Sequence, residues 1–227
     1  MKSLRLICIS LLLAILLAGC SDNTIKLPFH PHIVEMWAHT LEPFSADIAF
    51  YGDSRVAGAE WEKAFPDASV SNLGVGGDII EGTIQRLPLL DALDIKYCFL
   101  AVGGNNCWGE SLSESEFRSN YETLLKKLID MGITVYANTI AGTTSINSLV
   151  DSESINNLNR NAKIANQAIK ELCQKYNVTL IDMADVMNNP DGTLKLEYSL
   201  DGVHFNAEGN AVWYATIAPY IEAITSK

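Results

Sequence analysis

Four short segments carry the residue types that acyl transfer by a serine requires. In chain order they are Gly52-Asp53-Ser54, the loop 72–78, residues 103–106 and Asp201-Gly202-Val203-His204. A serine hydroxyl is a weak nucleophile until a base removes its proton, and a neutral histidine can do this near pH 7. Each segment alone is a weak signal, because Gly-Asp-Ser and Asp-Gly are also common turns.

Two of the segments supply a nucleophile and a base. Ser54 is the candidate nucleophile and His204 the candidate base. Asp201 lies three residues before His204, and Gly202 permits a turn in which the two side chains meet. A carboxylate placed there can hold the histidine in the tautomer that accepts the serine proton.

The other two segments supply donors for a developing negative charge. The tetrahedral intermediate of acyl transfer needs hydrogen-bond donors that are held ready for its oxyanion. A glycine N–H in the loop 74–78, the N–H of Ser54 and the side-chain amide of Asn105 can converge on one point. The four segments together therefore favour a serine hydrolase.

The same segments follow predicted strands. Short apolar or β-rich runs predict strands at residues 47–51, 69–73, 97–102, 134–139 and 179–181, and helical periodicity predicts helices at 56–64, 79–86, 114–131, 154–176 and 207–224. Ser113 and Glu116 form a predicted capping box for the third helix, which Gly132 ends. Strands that alternate with helices favour a parallel sheet covered on both faces, and such sheets bind ligands at the carboxyl ends of their strands.

The order of the segments resembles that of the SGNH/GDSL hydrolases, whose blocks are Gly-Asp-Ser, a glycine in the second block, Gly-x-Asn and Asp-x-x-His. The similarity runs from about residue 48 to residue 221. It implies a flavodoxin-like, three-layer α/β/α sandwich with a five-stranded parallel sheet. This agrees with the strands predicted from periodicity.

The resemblance also implies a role for each matching residue. Ser54 would be the nucleophile and, through its N–H, an oxyanion donor together with Gly77 and Asn105. His204 would be the base and Asp201 its orienting partner. Gly77 is selected because it lies five residues after Asn72, the spacing that the family pattern gives. This mechanism needs no cofactor and no metal.

Two positions depart from the family pattern. Arg55 follows the serine where the family often has an apolar residue, and Asn106 replaces a frequent aspartate. Arg55 could favour an anionic group on the substrate or be a solvated residue of the first helical turn. Neither departure falls on a residue with an implied catalytic role.

Other classes of protein are excluded by composition and motif. The formal net charge of −11 and the lack of a basic stripe argue against nucleic-acid binding. No serine lies in the Gly-x-Ser-x-Gly elbow of the α/β-hydrolases, and neither a dinucleotide fingerprint nor a P-loop is present. His30, His32 and His39 lack partners at metal-ligand spacing, so we expect linker and surface histidines.

The N-terminus resembles a bacterial lipoprotein signal. Lys2 and Arg5 precede an apolar run at residues 6–18, which ends in Leu-Ala-Gly before Cys20. An ordinary secretory signal or a membrane anchor is the alternative. We expect a signal peptide over 1–19, a lipidated tether over 20–45 and an SGNH hydrolase domain over 46–227. The lipid on Cys20 would hold the protein in the cell envelope, and Ser21 would favour the outer membrane in a Gram-negative host.

Three cysteines remain within the predicted domain. They are Cys98, Cys107 and Cys173, an odd number that cannot form a complete disulfide framework. A Cys98–Cys107 bridge is one interpretation. Buried free thiols are the interpretation that we favour.

These observations predict a serine esterase that hydrolyses carboxylic esters, either acyl or acetyl. The expected substrates are small molecules or glycans, such as acetylated carbohydrates or small lipid esters. A polar segment at residues 142–158 is expected near the site as part of its rim. The alternative is a non-catalytic, glycan-binding surface lipoprotein on the same scaffold.

Overall fold

Five parallel strands form the sheet in the computed structural model, which describes residues 46–146 and 151–226. The strands are β1 (Ile48–Gly52), β2 (Val70–Gly74), β3 (Tyr97–Ala101), β4 (Thr134–Asn138) and β5 (Thr179–Ile181). Their order across the sheet is β2-β1-β3-β4-β5, and every pairing is parallel. The predicted fold class is confirmed, and each predicted strand agrees with the observed one to within one residue at either end.

The helices connect these strands. They are α1 (Ser54–Ala57), α2 (Trp61–Ala64), α3 (Ile80–Gln85), α4 (Leu87–Ala92), α5 (Glu114–Asp130), α6 (Ser152–Tyr176), α7 (Met183–Met187) and α8 (Ala207–Thr225). Short 3-10 turns occupy Asn105–Cys107 and Leu196–Tyr198. The helices α4 and α7, of six and five residues, were not among those predicted from the sequence periodicity.

Successive strand residues point into different cores on the two faces of the sheet. Ala49 and Tyr51 of β1 join a core that α3 to α6 cover, whereas Ile48 and Phe50 join one that α1, α2, α7 and α8 cover. In the second core, the rings of Phe50 and Trp61 stack with their centroids 3.7 Å apart. Burial of the strands on both faces gives the sheet its continuous apolar sequence runs.

The predicted single helix over 56–64 is wrong. The Asp53 side chain accepts a hydrogen bond from the Arg55 N–H at 3.0 Å, so that α1 begins at Ser54. Gly58 caps the end of α1, and α2 begins only at Trp61. The short α1 places Ser54 in a first helical turn directly beyond the end of β1.

The predicted capping box at Ser113 is also wrong. Its side chain makes no capping hydrogen bond, and α5 instead has Glu114 and Glu116 in its first turn, where negative charge complements the helix dipole. The predicted end of this helix is confirmed. Gly132 follows the last turn with a φ of 78°, a left-handed conformation that glycine adopts without a steric penalty.

The three cysteines of the domain are free thiols, as we favoured, and no bridge joins Cys98 to Cys107. All three are buried. Burial raises the pKa of Cys107 to about 12 and that of Cys173 to about 11. The thiols therefore remain protonated near neutral pH and pack as small apolar side chains.

Several predictions concern residues outside the described part of the chain. The signal peptide, the tether, Cys20 and the three histidines that precede the domain all fall within 1–45, and part of the polar segment falls within 147–150. Among residues 46–146 and 151–226, no helix combines the length and the apolar character that crossing a membrane requires.

Candidate active site

The predicted site residues meet at the carboxyl end of the sheet, where the chain leaves β1 and β3 toward opposite edges. Ser54 opens α1 directly after β1, and Asn105 opens the 3-10 turn after β3. His204 lies in the loop before α8. In parallel sheets of this kind, a crevice for ligands forms where the connections from two neighbouring strands run to opposite sides.

Ser54, His204 and Asp201 form one hydrogen-bonded chain. The Ser54 Oγ lies 3.0 Å from His204 Nε2, and His204 Nδ1 lies 2.6 Å from Asp201 Oδ2. In this arrangement Nδ1 donates to the carboxylate, so that Nε2 is the nitrogen free to accept a proton from the serine. The structure thus brings together the three residues that the sequence assigned to nucleophile, base and orienting acid.

The carboxylate of Asp201 is held by the backbone of its own loop. Its Oδ1 accepts hydrogen bonds from the N–H groups of Val203 at 2.8 Å and His204 at 2.7 Å. Partial burial raises the pKa of Asp201, but the hydrogen bonds from the His204 side chain and from these N–H groups outweigh it and lower the pKa to about 2. Asp201 is therefore ionised throughout the pH range in which the protein is expected to work.

Ser199 is a support of this loop that the sequence analysis missed. Its buried hydroxyl donates to the His204 carbonyl oxygen at 2.6 Å and accepts from the Gly202 N–H at 2.9 Å. These bonds span the segment from Asp201 to His204 and fix its turn. The only signal in the sequence was a serine two residues before the aspartate, which is too common to be informative.

The predicted oxyanion residues lie on two loops that are tied together. The side-chain amide of Asn105 donates to the carbonyl oxygen of Asp78 at 2.8 Å, which leaves its second N–H for another acceptor. Gly77, the residue before Asp78, is exposed and has a φ of 75°. The link joins Asn105 to the loop that carries Gly77, while their roles as oxyanion donors remain predictions.

A buried ion pair anchors the same loop. The Asp78 carboxylate accepts from Arg86 Nη2 at 2.5 Å and from its Nε at 3.0 Å. The same guanidinium donates to the carbonyl oxygens of Leu73 at 3.0 Å and Gly52 at 3.2 Å, at the ends of β2 and β1. Arg86 therefore links the loop to the sheet. The sequence analysis did not predict this function, because Arg86 lies at the end of a predicted helix.

Asn106 has a structural function beside Asn105. Its Oδ1 accepts from the Ile80 N–H at 3.1 Å, at the start of α3, and its Nδ2 donates to Glu81 at 3.0 Å. This asparagine therefore satisfies an N–H group that a helix start leaves without an intrahelical partner.

The two neighbouring asparagines allow a matched test of the oxyanion hole. We expect Asn105→Ala to lower kcat by about 10²–10³-fold and to leave KM nearly unchanged, because an oxyanion donor acts mainly in the transition state. We expect Asn106→Ala to change kcat little and to cost about 1 kcal/mol of stability, the usual value of a lost cap. Steady-state kinetics and urea unfolding measure both. Equal kcat losses at the two positions would assign the oxyanion hole to other groups.

Arg55 is not the solvated first-turn residue that was one of the two sequence interpretations. Its guanidinium turns inward and donates to main-chain carbonyl oxygens, including that of Val203 at 2.9 Å. The guanidinium carbon also lies 4.9 Å from the centre of the Phe205 ring. The side chain is thus engaged with the loop that carries the candidate base.

A small cavity of about 50 Å³ adjoins Ser54. Its walls are mainly apolar and include Ala101, Val102, Ile140 and Leu158. The indole of Trp108, which is 43% exposed, also lines the cavity. The space beside Ser54 is sufficient for a few small heavy atoms.

A wider polar groove of about 860 Å³ shares Ile140 with this cavity. Amide and charged side chains line most of it, among them Asn156, Asn159, Lys163, Gln167, Asn188 and Asn189. The predicted polar rim at 142–158 contributes Thr143 to the cavity and Asn156 to the groove. Its residues 147–150 are not among those described.

Asp53, the residue before Ser54, is a buried carboxyl group at the cavity. Burial raises its pKa to about 6, while the charge of Arg55 and the hydrogen bond from the Arg55 N–H oppose that rise. The carboxyl group therefore changes its charge within the range of ordinary assay conditions.

Asp53 should give the stability of the fold a distinctive pH dependence. Its pKa is about 6 in the folded protein against an ordinary value of 3.8, so between these values the folded state binds a proton that the unfolded chain has lost. This contribution to stability therefore falls as the pH rises from 4 to 6.5. Because an amide at this position would not titrate, Asp53→Asn should gain about 2 kcal/mol of stability relative to wild type between pH 4 and pH 6.5. Urea unfolding at several pH values measures the gain. A difference between Asp53→Asn and wild type that does not change with pH would contradict it.

Within residues 46–146 and 151–226, no cluster of three or more His, Cys, Asp or Glu side chains is arranged to hold a metal ion. His204, the only histidine in this part of the chain, is engaged with Asp201 and Ser54. Both nitrogens of its imidazole are therefore committed to the hydrogen-bonded chain.

Comparison with known sequences gives one family. The model of the GDSL-like Lipase/Acylhydrolase family matches residues 44–212, a range that includes all the predicted site residues of the domain. No curated protein matches the chain in sequence.

Solved structures share the fold. A GDSL-like lipase from Bacteroides thetaiotaomicron is 16% identical with a TM-score of 0.69, over 84% of this chain and 97% of that one. A lipase/acylhydrolase from Enterococcus faecalis is 22% identical with a TM-score of 0.61, over 78% and 95%. The acetyl xylan esterase AlAXEase is 20% identical with a TM-score of 0.60, over 76% and 98%. At such identities the likeness concerns the fold alone.

Proposed function

Because the chain belongs to the GDSL-like lipase/acylhydrolase family and is an ester hydrolase, we propose that it cleaves carboxylic esters through an acyl-enzyme on Ser54. The observation that carries the proposal is the hydrogen-bonded chain from Ser54 through His204 to Asp201, with distances of 3.0 Å and 2.6 Å. These contacts provide a hydroxyl, a base within reach of its proton and a carboxylate that orients the base.

In the first half-reaction, Ser54 Oγ forms a bond to the ester carbonyl carbon while its proton passes to His204 Nε2. The carbonyl oxygen takes up the displaced electron pair and receives hydrogen bonds from the Ser54 N–H, Gly77 and Asn105. Asp201 stabilises the imidazolium. The ester C–O bond then breaks, and His204 gives the proton to the departing alcohol.

In the second half-reaction, water replaces the alcohol. His204 removes a proton from water as the water oxygen bonds to the acyl carbon, which regenerates the tetrahedral oxyanion in the same donors. Breaking of the bond to Ser54 Oγ releases the carboxylic acid, and the proton returns to the serine. The cycle needs no group beyond the side chains and N–H groups named.

We propose a short acyl group, acetyl in the first instance, on a carbohydrate alcohol. The cavity of about 50 Å³ beside Ser54 supports the short acyl group. The adjoining groove lined by amide and charged side chains supports a polar leaving group rather than a second acyl chain. Small lipid esters are the other substrate group, and the exposed Trp108 is the residue that would favour them.

A hydrolysis panel tests the substrate proposal. The full chain, purified in mild detergent, is assayed with p-nitrophenyl acetate, butyrate and octanoate, with acetylated xylo-oligosaccharides and with lysophosphatidylcholine. We expect kcat/KM to fall steeply from acetate to octanoate and to be higher for acetylated oligosaccharides than for the lysophospholipid. Preference for octanoate or lysophosphatidylcholine would instead assign a lipid substrate to the site.

We further propose that Cys20 is lipidated and holds the enzyme in the bacterial cell envelope. The support is the sequence layout: Lys2 and Arg5, the apolar run at 6–18 and the small residues before Cys20. A single acyl chain binds membranes only marginally, so stable anchoring requires more than one chain on the modified terminus. The Ser21 that follows favours the outer membrane in a Gram-negative host.

Cys20→Ser should therefore abolish metabolic labelling with radioactive palmitate and leave the protein uncleaved or soluble. The purified variant should keep normal specific activity, because the site residues lie in the described domain. Cys8→Ser is the matched control, since Cys8 lies inside the apolar run and should not affect labelling. Palmitate incorporation into the Cys20→Ser protein would refute the anchor.

A further inference from the structure

The guanidinium of Arg55 joins three separate parts of the chain. It donates to the carbonyl oxygens of Ala141 at 2.7 Å, Gly142 at 2.8 Å and Val203 at 2.9 Å. Ala141 and Gly142 belong to the segment that follows β4, whereas Val203 belongs to the loop that carries the base. Arg55 itself is bonded covalently to Ser54.

The two segments that Arg55 joins also interlock with each other. The Thr144 N–H donates to the Gly202 carbonyl oxygen at 2.9 Å. Gly202 has a φ of 87°, and a Cβ at this position would lie 2.0 Å from the Thr144 carbonyl oxygen. The loop 201–204, which carries the candidate base and is called the base loop below, therefore packs directly against the segment after β4. Any shift of that segment would change the position of the base loop.

A planar guanidinium is suited to this junction. Hydrogen bonds from a charged donor are shorter and stronger than neutral ones, and the fixed fork of arginine can reach several acceptors at once. Burial lowers the pKa of Arg55, and the charges of Asp53 and Asp201 act in the opposite direction. Arginine nevertheless stays protonated in proteins, so the three bonds persist across the working pH range.

We propose that Arg55 is a positioning residue, which sets the separation of the Ser54 hydroxyl and the His204 imidazole by holding the base loop and the segment after β4 against α1. The inference rests on the proposed function, since it assumes that Ser54 and His204 react together. Their 3.0 Å contact joins positions 150 residues apart in sequence, and the Arg55–Val203 bond is a second connection one residue from each of them. Small displacements of reacting groups are costly, because a misplacement of about 1 Å can lower a rate by about 10²-fold.

The competing interpretation is that Arg55 recognises an anionic group of the substrate. Three of the five guanidinium N–H groups are bonded to carbonyl oxygens of the protein. A recognition role acts through substrate binding and depends on the charge of the ester. A positioning role instead acts on turnover and applies equally to neutral esters.

The test compares Arg55→Met and Arg55→Lys with the wild-type chain on neutral p-nitrophenyl acetate and on an anionic p-nitrophenyl hemisuccinate. We expect Arg55→Met to lower kcat by about 10²-fold on both esters, with KM within about threefold of wild type. The rate of labelling by a fluorophosphonate probe should fall in parallel, because it requires the same alignment. Arg55→Lys should recover part of the loss, since one ammonium group can reach fewer of the three carbonyl oxygens.

Two controls separate misplacement from loss of stability or charge. Leu128→Ala removes a buried side chain near the C-terminal end of α5, and Arg118→Met removes an arginine that pairs with Glu171. Both variants should keep the wild-type kcat per folded molecule, with the folded fraction determined by thermal unfolding. If Arg55→Met does not fold, the kcat of Arg55→Lys decides the question.

Two results would overturn the positioning role. One is a wild-type kcat in the folded Arg55 variants, and the other is a rise in KM that is confined to the hemisuccinate. Failure of the proposed function is distinguishable from either, because the wild-type chain would then hydrolyse neither ester and would not be labelled by the probe.

Discussion

Replacing Ser54 with alanine is expected to lower kcat for ester hydrolysis by about 10⁶-fold, the loss typical of a serine nucleophile that works with a histidine. The hydroxyl contacts His204 and is the atom that would carry the acyl group. Alanine is a good helix former, so α1 and the melting temperature should change little. Initial rates, fluorophosphonate labelling and thermal unfolding measure the three quantities.

The control for this variant is Ser119→Ala, an exposed serine within α5 that should retain full activity. Wild type and control should be labelled by the probe, whereas Ser54→Ala should not. Retention of more than a few per cent of the wild-type rate by Ser54→Ala would transfer the nucleophile to another group and end the acyl-enzyme proposal.

Replacing Asp201 with asparagine should have the second largest effect, a loss of about 10⁴-fold in kcat. The carboxylate accepts the His204 Nδ1 proton at 2.6 Å, and its pKa of about 2 keeps it ionised as pH falls to mildly acidic values. An amide has no charge to stabilise the imidazolium and can favour the wrong tautomer. The loss should be smaller than that of Ser54→Ala, because the nucleophile itself remains.

The pH profile provides the check on this interpretation. Because Asp201 stays ionised far below neutrality, the loss in Asp201→Asn should be present across pH 5 to 8. His204→Ala, measured beside it, should remove most of the activity as well. A wild-type rate in Asp201→Asn at any pH in this range would contradict an orienting role for the carboxylate.

The sheet could be predicted from sequence because its strands are buried on both faces. Ile48 to Gly52 and Tyr97 to Ala101 are short runs dominated by apolar residues and bounded by polar or glycine-rich segments, which define a buried parallel strand with little ambiguity. Because Ser54 and Asn105 follow such runs closely, their meeting at one edge of the sheet was also predictable.

Other residues that support the site were not predictable because their partners are distant in sequence. Arg55 bonds to a carbonyl oxygen 148 positions away, and Arg86 bonds to one 34 positions away. A main-chain carbonyl has no residue-specific signature, so such bonds leave no trace in a motif. The capping box predicted at Ser113 was wrong for a different reason. Its residue types suit a capping box, but the Ser113 side chain makes no hydrogen bond to the N–H groups of the helix.

The distance in sequence between Ser54 and His204 has a consequence for how activity is acquired during folding. The contact spans 150 positions, so it forms only when the loop before α8 lies against the carboxyl end of β1. A nascent or refolding chain that has formed only β1 to β4 has its serine in place but lacks the base. Ester hydrolysis therefore requires the C-terminal part of the domain as well as β1, and its recovery after dilution from denaturant reports that the two parts have come together.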